Sequence, residues 1–271
     1  MYHRIVIAYN AGNEGRDALA LADRLARPER ARLVVVQAMP RSMGRDAARE
    51  TQTRMAAAQA SITGLVAPDL DVDYRALVGQ PFAASVHAIA AEEEAELIVV
   101  GQSRLGPLAR ARLGGGAELL VGGSPCPIAV AAPDQAQRAP FRAACVGAGF
   151  DGSPASMLAA HAAADLAEAL GARLRLIAAG GSIRAAGIAA ARFADRAEVD
   201  VVTPGGDPAR ALLGQPEAGV DALVVGHRER RPQGRPGVSV SVMGHAGCPV
   251  WVVPPSAAAV VLGSRAAMAA A

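Results

Sequence analysis

Lysine does not occur in this chain; all 27 basic residues are arginine. The bias is spread along the whole sequence and reads as an arginine-rich composition rather than a set of phosphate contacts. It excludes the P-loop, whose glycine turn must be followed by a lysine. Set against 25 acidic residues, the arginines leave a net charge of +2, too little for a broad electrostatic footprint on nucleic acid or on an anionic membrane. Cysteine is scarce: Cys126, Cys145 and Cys248 lack CxxC spacing and nearby clustered histidines, which argues against a zinc cage and a disulfide framework. The five histidines, His3, His87, His161, His227 and His245, fall on different predicted elements with no HExxH or similar grouping, and are read as surface or packing residues. A GxSxG nucleophile elbow is also missing, and no constellation for turnover or for binding a metal stands out.

Apolar runs fall well short of a membrane span. The opening "MYHRIVIAYN" enters a strand-like segment without the charged, apolar and cleavage regions of a secretory leader, so a reducing cytoplasm is the expected location. Only 3% of residues are aromatic although 52% are hydrophobic, so the core must be built from Ala, Val, Leu and Ile. That mixture suits β-branched strands covered by alanine-rich helices.

What the chain does have is a repeat. "RIVIAYNAGNEGRDALALADRLA" from Arg4 is echoed by "AACVGAGFDGSPASMLAAHAAADLAEAL" from Ala143, each a short buried strand, a polar glycine turn and a long helix. "AELIVVGQS" from Ala95 returns as "VDALVVGHR" from Val220, and "GGSPCPIAVAAP" from Gly122 as "HAGCPVWVVPP" from His245. In the first copy, apolar runs at Arg4–Tyr9, Leu33–Ala38, Val72–Val78, Leu97–Val100 and Pro127–Ala131 alternate with helical stretches near Glu14–Ala26, Arg45–Leu65, Pro81–Glu94 and Ala117–Gly122. The second copy keeps strands at Cys145–Gly149, Arg173–Ala178, Val199–Val202, Ala222–Val225 and Val250–Val253, with its middle helices cut to Ile183–Ala194 and Pro208–Leu213. Strands apolar on both faces and alternating with helices predict a parallel sheet covered on both sides. The boundaries expected are a first domain over 1–133, a proline-bearing linker over 134–141, a shortened second domain over 142–255 and an alanine-rich tail over 256–271.

Two tandem copies of strand, Asp/Asn turn and long helix, each closing on "VVG", a loop and "CP(I/V)xV", resemble the universal stress protein family over nearly the whole chain. The resemblance implies an α/β fold of two tandem Rossmann-like five-stranded parallel-sheet sandwiches, adenine-nucleotide-hydrolase-like, with the second copy shortened. It implies an internal pseudo-dimer in which the last strands pair, with a homodimer as a further assembly, and a non-catalytic stress-response module acting on a protein partner that the sequence does not name. Neither nucleic acid nor membrane is an expected partner.

The family's nucleotide-binding branch carries Gly, two residues, Gly, nine residues, Gly, then Ser or Thr. In the first copy those places fall on Gly101, Arg104, Gly114 and Gly115, so two of four match, and Gly106 resembles a variant with its glycine two places later. The resemblance therefore implies ATP or a related adenine nucleotide as cofactor of the first copy, held by Asn10, Gly101, Gly106, Gly114 and Gly115. A glycine turn before a helix start would offer backbone N–H groups and the positive end of a dipole to a phosphate. Three successive glycines, Gly114 to Gly116, are read equally well as a plain flexible connection, and both readings stand.

In the second copy the loop from Gly226 is three residues shorter and carries Pro232 and Pro236, with Pro236 at the third glycine's place and Gly237 at the hydroxyl's. Proline offers no N–H, so this loop is not expected to cradle phosphate in the family's manner. The family's acidic residue at the first strand's tip is Asn10 in one copy and Asp151 in the other. Asp151 is read first as an N-cap or Asx-turn residue for the helix near Pro154. A scaffold with both nucleotide sites lost and a weak ATP-hydrolysing enzyme on the same fold are the alternatives.

Overall fold

The computed structural model describes residues 1–39, 47–102, 116–138, 141–179, 183–228 and 237–262. The chain divides into two compact units that do not follow sequence order strictly: one is Tyr2–Leu120 with Pro133–Phe141, the other Val121–Ala132 with Arg142–Ala271.

In the first unit the strands are β1 (Arg4–Tyr9), β2 (Arg32–Met39), β3 (Val72–Val78) and β4 (Leu97–Gly101), ordered β3-β2-β1-β4. All pair in parallel, Ile5 lying opposite Leu33 on one side and Leu97 on the other. Helices α1 (Asn13–Ala26), α2 (Ala47–Thr63) and α3 (Phe82–Glu92) make the crossovers that parallel neighbours require. β1 and β4 are buried almost end to end, as strands covered on both faces must be. Ala18, Leu19, Leu21 and Ala22 of α1 are fully buried, the apolar stripe of an amphipathic helix. The carboxylate of Asp17, 3% exposed, accepts from the backbone N–H groups of Asp134 (3.0 Å) and Ala136 (2.9 Å) and so ties residues 134–136 to α1.

The second unit contains helix α4 (Gly116–Val121) only by its last residue, and then β5 (Ile128–Ala131), β6 (Cys145–Gly149), α5 (Pro154–Leu170), β7 (Arg173–Ile177), α6 (Ile183–Ala190), β8 (Val199–Val202), α7 (Pro208–Leu213), β9 (Ala222–Gly226), α8 (Val238–His245) and β10 (Val250–Val253). Its strand order is β5-β10-β9-β6-β7-β8. Every pair is parallel but one: β5 runs antiparallel to β10, Ala129 opposite Trp251. The last strands of the two repeats thus pair with each other, which covers an edge of each.

The α/β character, the mostly parallel sheet and all ten strands agree with the sequence reading, the strands to within a residue and the helices it gave to within a few. Helix α8 is additional, since "VSVSVMGH" carries no helix in that reading. Cys126, Cys145 and Cys248 are all buried free thiols, and burial pushes the Cys145 thiol above its ordinary value. No helix among the described residues is long and apolar enough to cross a membrane.

Candidate functional site

Each unit has one place where the strand order reverses: the chain leaves β1 toward β2 and returns to β4 on the other side, and leaves β6 toward β7 and returns to β9 on the other side. In open parallel sheets the crevice beyond the carboxyl ends of such a strand pair is where ligands bind.

In the first unit that crevice is flanked by Asn10 and Gly101, both predicted from sequence. Asn10 spends its side-chain oxygen on the backbone N–H groups of Gly12 (3.1 Å) and Gly15 (2.9 Å), fixing the turn into α1. A Cβ on Gly101 would lie 1.9 Å from the carbonyl oxygen of Glu14, so glycine is required there for close packing of β4 on α1 whatever else it does. Gln102, the next residue, is a polar side chain only 7% exposed. Gly106, Gly114 and Gly115 lie outside the described residues.

In the second unit the crevice is an open cavity of about 390 Å³, within the size of small-molecule sites. Gly149, Phe150 and Asp151 reach it from the end of β6, and Val225, Gly226, His227 and Arg228 from the end of β9. Pro208 and Leu212 of α7 add an apolar wall, and Gly237, Val238, Ser239 and Val240 bring the first turn of α8. The sequence reading did not expect a ligand site here, because the phosphate loop is shortened and interrupted by proline. The space arises from a different set of groups.

Asp151 is positioned by its own turn. Gly152 adopts φ +83°, the left-handed region, and this lets Asp151 Oδ1 accept from Ser153 N–H at 3.0 Å. The N-cap itself is Ser153, whose hydroxyl accepts from Ser156 N–H at 3.2 Å, with Pro154 in the first turn. Asp151 is therefore the Asx-turn residue and not the cap. Its other oxygen is ion-paired with Arg228. Burial pushes the Asp151 carboxyl up, but hydrogen bonds from Ser153 and Ser156 and the charge of Arg228 outweigh it and hold the group below its ordinary value.

At the other wall, α8 begins at Gly237 without a side-chain cap. The residues of its first turn line the cavity, and a helix start carries unpaired N–H groups and the positive end of a dipole, which suit an anion. Ser239, 5% exposed, holds its hydroxyl 3.0 Å from Nδ1 of His227. The cavity thus brings together the Asp151–Arg228 ion pair, an apolar wall, and a helix start with a hydroxyl and an imidazole. Sequence reasoning missed His227, Arg228 and Ser239. The signal available was "GHR" at a strand tip in the position of "GQS", paired with a serine two residues after Gly237. Among the described residues no three His, Cys, Asp or Glu side chains gather to hold a metal ion.

A family model described as the universal stress protein family matches residues 1–132 and 178–254. The chain is similar to the crystal structure of a universal stress protein from Archaeoglobus fulgidus DSM 4304, 14% identical, over 93% of this chain and 96% of that one, with a TM-score of 0.73. It is also similar to a functionally unknown protein from Pseudomonas aeruginosa PAO1, 15% identical, over 98% of both chains, with a TM-score of 0.60. These likenesses speak to the fold. No curated protein matches the sequence.

Proposed function

Because the chain belongs to the universal stress protein family, we propose that it is a non-catalytic stress-response module that binds an adenine nucleotide, ATP being the first candidate, in the second-unit cavity. The observation that carries this reading is the cavity at the strand-order reversal between β6 and β9, lined by a helix start on one side and by Asp151 with an apolar wall on the other. A nucleotide needs an anion site and, away from it, a hydrogen-bonding and apolar site for the base. The uncapped start of α8 with Ser239 suits the phosphates, Asp151 with Phe150 and Leu212 suits the base, and Arg228, ion-paired with Asp151, is a cation that a phosphate would engage. Asp151 is held acidic and already engaged by Arg228, which favours recognition over proton abstraction.

The test is a titration with ATP by calorimetry, alongside Arg228→Ala and Gly114→Asp. Micromolar binding, about −8 kcal/mol, weakened about tenfold by Arg228→Ala through loss of a charge-assisted hydrogen bond, is the expected outcome, with ATP recovered intact after incubation. Loss of binding in Gly114→Asp alone would move the site to the first repeat. Absence of binding, repeated with a label-based assay, would overturn the reading in favour of a scaffold for a protein partner. Steady phosphate release would overturn its non-catalytic part.

A further inference from the structure

The His227–Ser239 contact says how the cavity would choose its moment to bind. Nδ1 of His227 and the hydroxyl of Ser239 are 3.0 Å apart, both groups line the cavity, and Ser239 stands in the first turn of α8. A serine hydroxyl has one proton to give. When the imidazole is neutral with Nδ1 bare, that proton is given to the ring, and the serine oxygen turns lone pairs toward the cavity. When the imidazole is protonated, Nδ1–H becomes the donor, the hydroxyl is released to donate into the cavity, and a positive charge stands behind it. If the neutral ring instead carries its proton on Nδ1, the hydroxyl is already free, yet gain of the second ring proton still adds the charge. Either way an anion gains when His227 is protonated.

We propose that His227 acts as a positioning residue that makes capture of a phosphate-bearing ligand proton-linked, with affinity rising as pH falls through the histidine range. The inference rests on the nucleotide reading of this cavity. Among the described residues, the charged or titratable groups that share the cavity with His227 are Asp151 from the β6 tip and Arg228 beside it; the lining residues from α5, α7 and α8 are uncharged. Asp151 and Arg228 are paired with each other, and the carboxyl, held below its ordinary value, stays charged between pH 6 and 8. That pair sets a constant background, and among the described lining residues His227 is the one of a type that changes charge near that interval. The first repeat has Gln102 at the equivalent position after its strand-tip glycine, a side chain that does not titrate. His227→Gln therefore installs the other repeat's residue and removes the proton.

The experiment measures ATP affinity at pH 6, 7 and 8 for wild type, His227→Gln and Ser239→Ala, with adenosine as a ligand lacking phosphate. ATP's own ionisation contributes equally to all three proteins, so the difference between them is read. Wild-type affinity relative to His227→Gln should rise about sixfold from pH 8 to pH 6, the effect over that interval of a ligand-induced shift of about one unit in the histidine pKa. Adenosine should show no such slope, and Ser239→Ala should keep only the part due to charge. NMR titration of the His227 ring in the wild type, with and without ATP, gives a readout independent of whether the variants fold; its pKa should rise on binding. Equal pH slopes in wild type and His227→Gln, or an unshifted ring pKa with ATP bound, overturn the inference while leaving nucleotide binding in place. No binding of ATP at any pH overturns both.

Discussion

Replacing Gly226 by alanine adds a methyl group to the lip of the cavity and separates packing from binding. An ideal Cβ there would lie 2.3 Å from the carbonyl oxygen of Ala155 and 2.5 Å from its carbonyl carbon, against the 3.0 Å that real Cβ atoms respect. Both contacts are to backbone, so no flexible side chain can swing away. β9 is held between β6 and β10, and α5 packs a row of fully buried alanines, Ala159, Ala160, Ala163 and Ala164, with no slack between helix and sheet. Relief requires the first turn of α5 to back off by most of an ångström. Overpacking of this kind costs about 1–3 kcal/mol, and a backbone clash belongs at the upper end. At a urea m-value of about 2 kcal/mol/M, about 3 kcal/mol lowers the midpoint by about 1.5 M. Trp251 is the chain's single tryptophan, 2% exposed on β10 and opposite Val224 of β9, so its fluorescence reports this unit directly. Gly187→Ala is the matched control: it lies within α6 with nothing within 4 Å of its would-be Cβ, and should raise stability by about 0.5–1 kcal/mol. A Gly226→Ala protein whose tryptophan transition stays at the wild-type midpoint would refute the close-approach argument. Gly101→Ala, with its contact at 1.9 Å, would then have to be reconsidered with it.

Two other perturbations test the frame around the site. Asp17→Ala removes the acceptor that holds the N–H groups of Asp134 and Ala136, and should cost about 2 kcal/mol for bonds to a charged group, read as a lower urea midpoint by circular dichroism; an unchanged midpoint would mean water replaces the carboxylate freely. Asp151, with its folded pKa depressed, contributes stability that is present above the unfolded value and is lost as pH falls through the folded one. The stability gap between wild type and Asp151→Asn should therefore close below about pH 4 and stay level from pH 5 to 7, and a gap that widens in acid would contradict the stated sign.

The repeat, the parallel sheet and the strand tips were legible in the sequence because each is a local pattern: apolar runs buried on both faces, a polar turn after each, and "VVG" twice at corresponding places. The reading of Asp151 as a turn residue was legible for the same reason, since Asp-Gly-Ser-Pro is a turn and helix start by its own chemistry. Helix α8 was not. "VSVSV" alternates with a period of two and favours a strand, but β9 and β10 are parallel neighbours and their crossover must pass over a face of the sheet. The segment accordingly becomes a helix with Ser239, Val242 and Met243 buried, three and four residues apart. Nor could the cavity be assigned to the second repeat from its sequence, since the loop that the family pattern weighs is the one shortened there. Open space at a strand tip depends on which distant side chains arrive: Leu212 from α7, Arg228 crossing to Asp151, and Ser239 meeting His227 from twelve residues away. Local pattern determined the elements and their order, and the packing of separated segments decided where a pocket remained and which groups face into it.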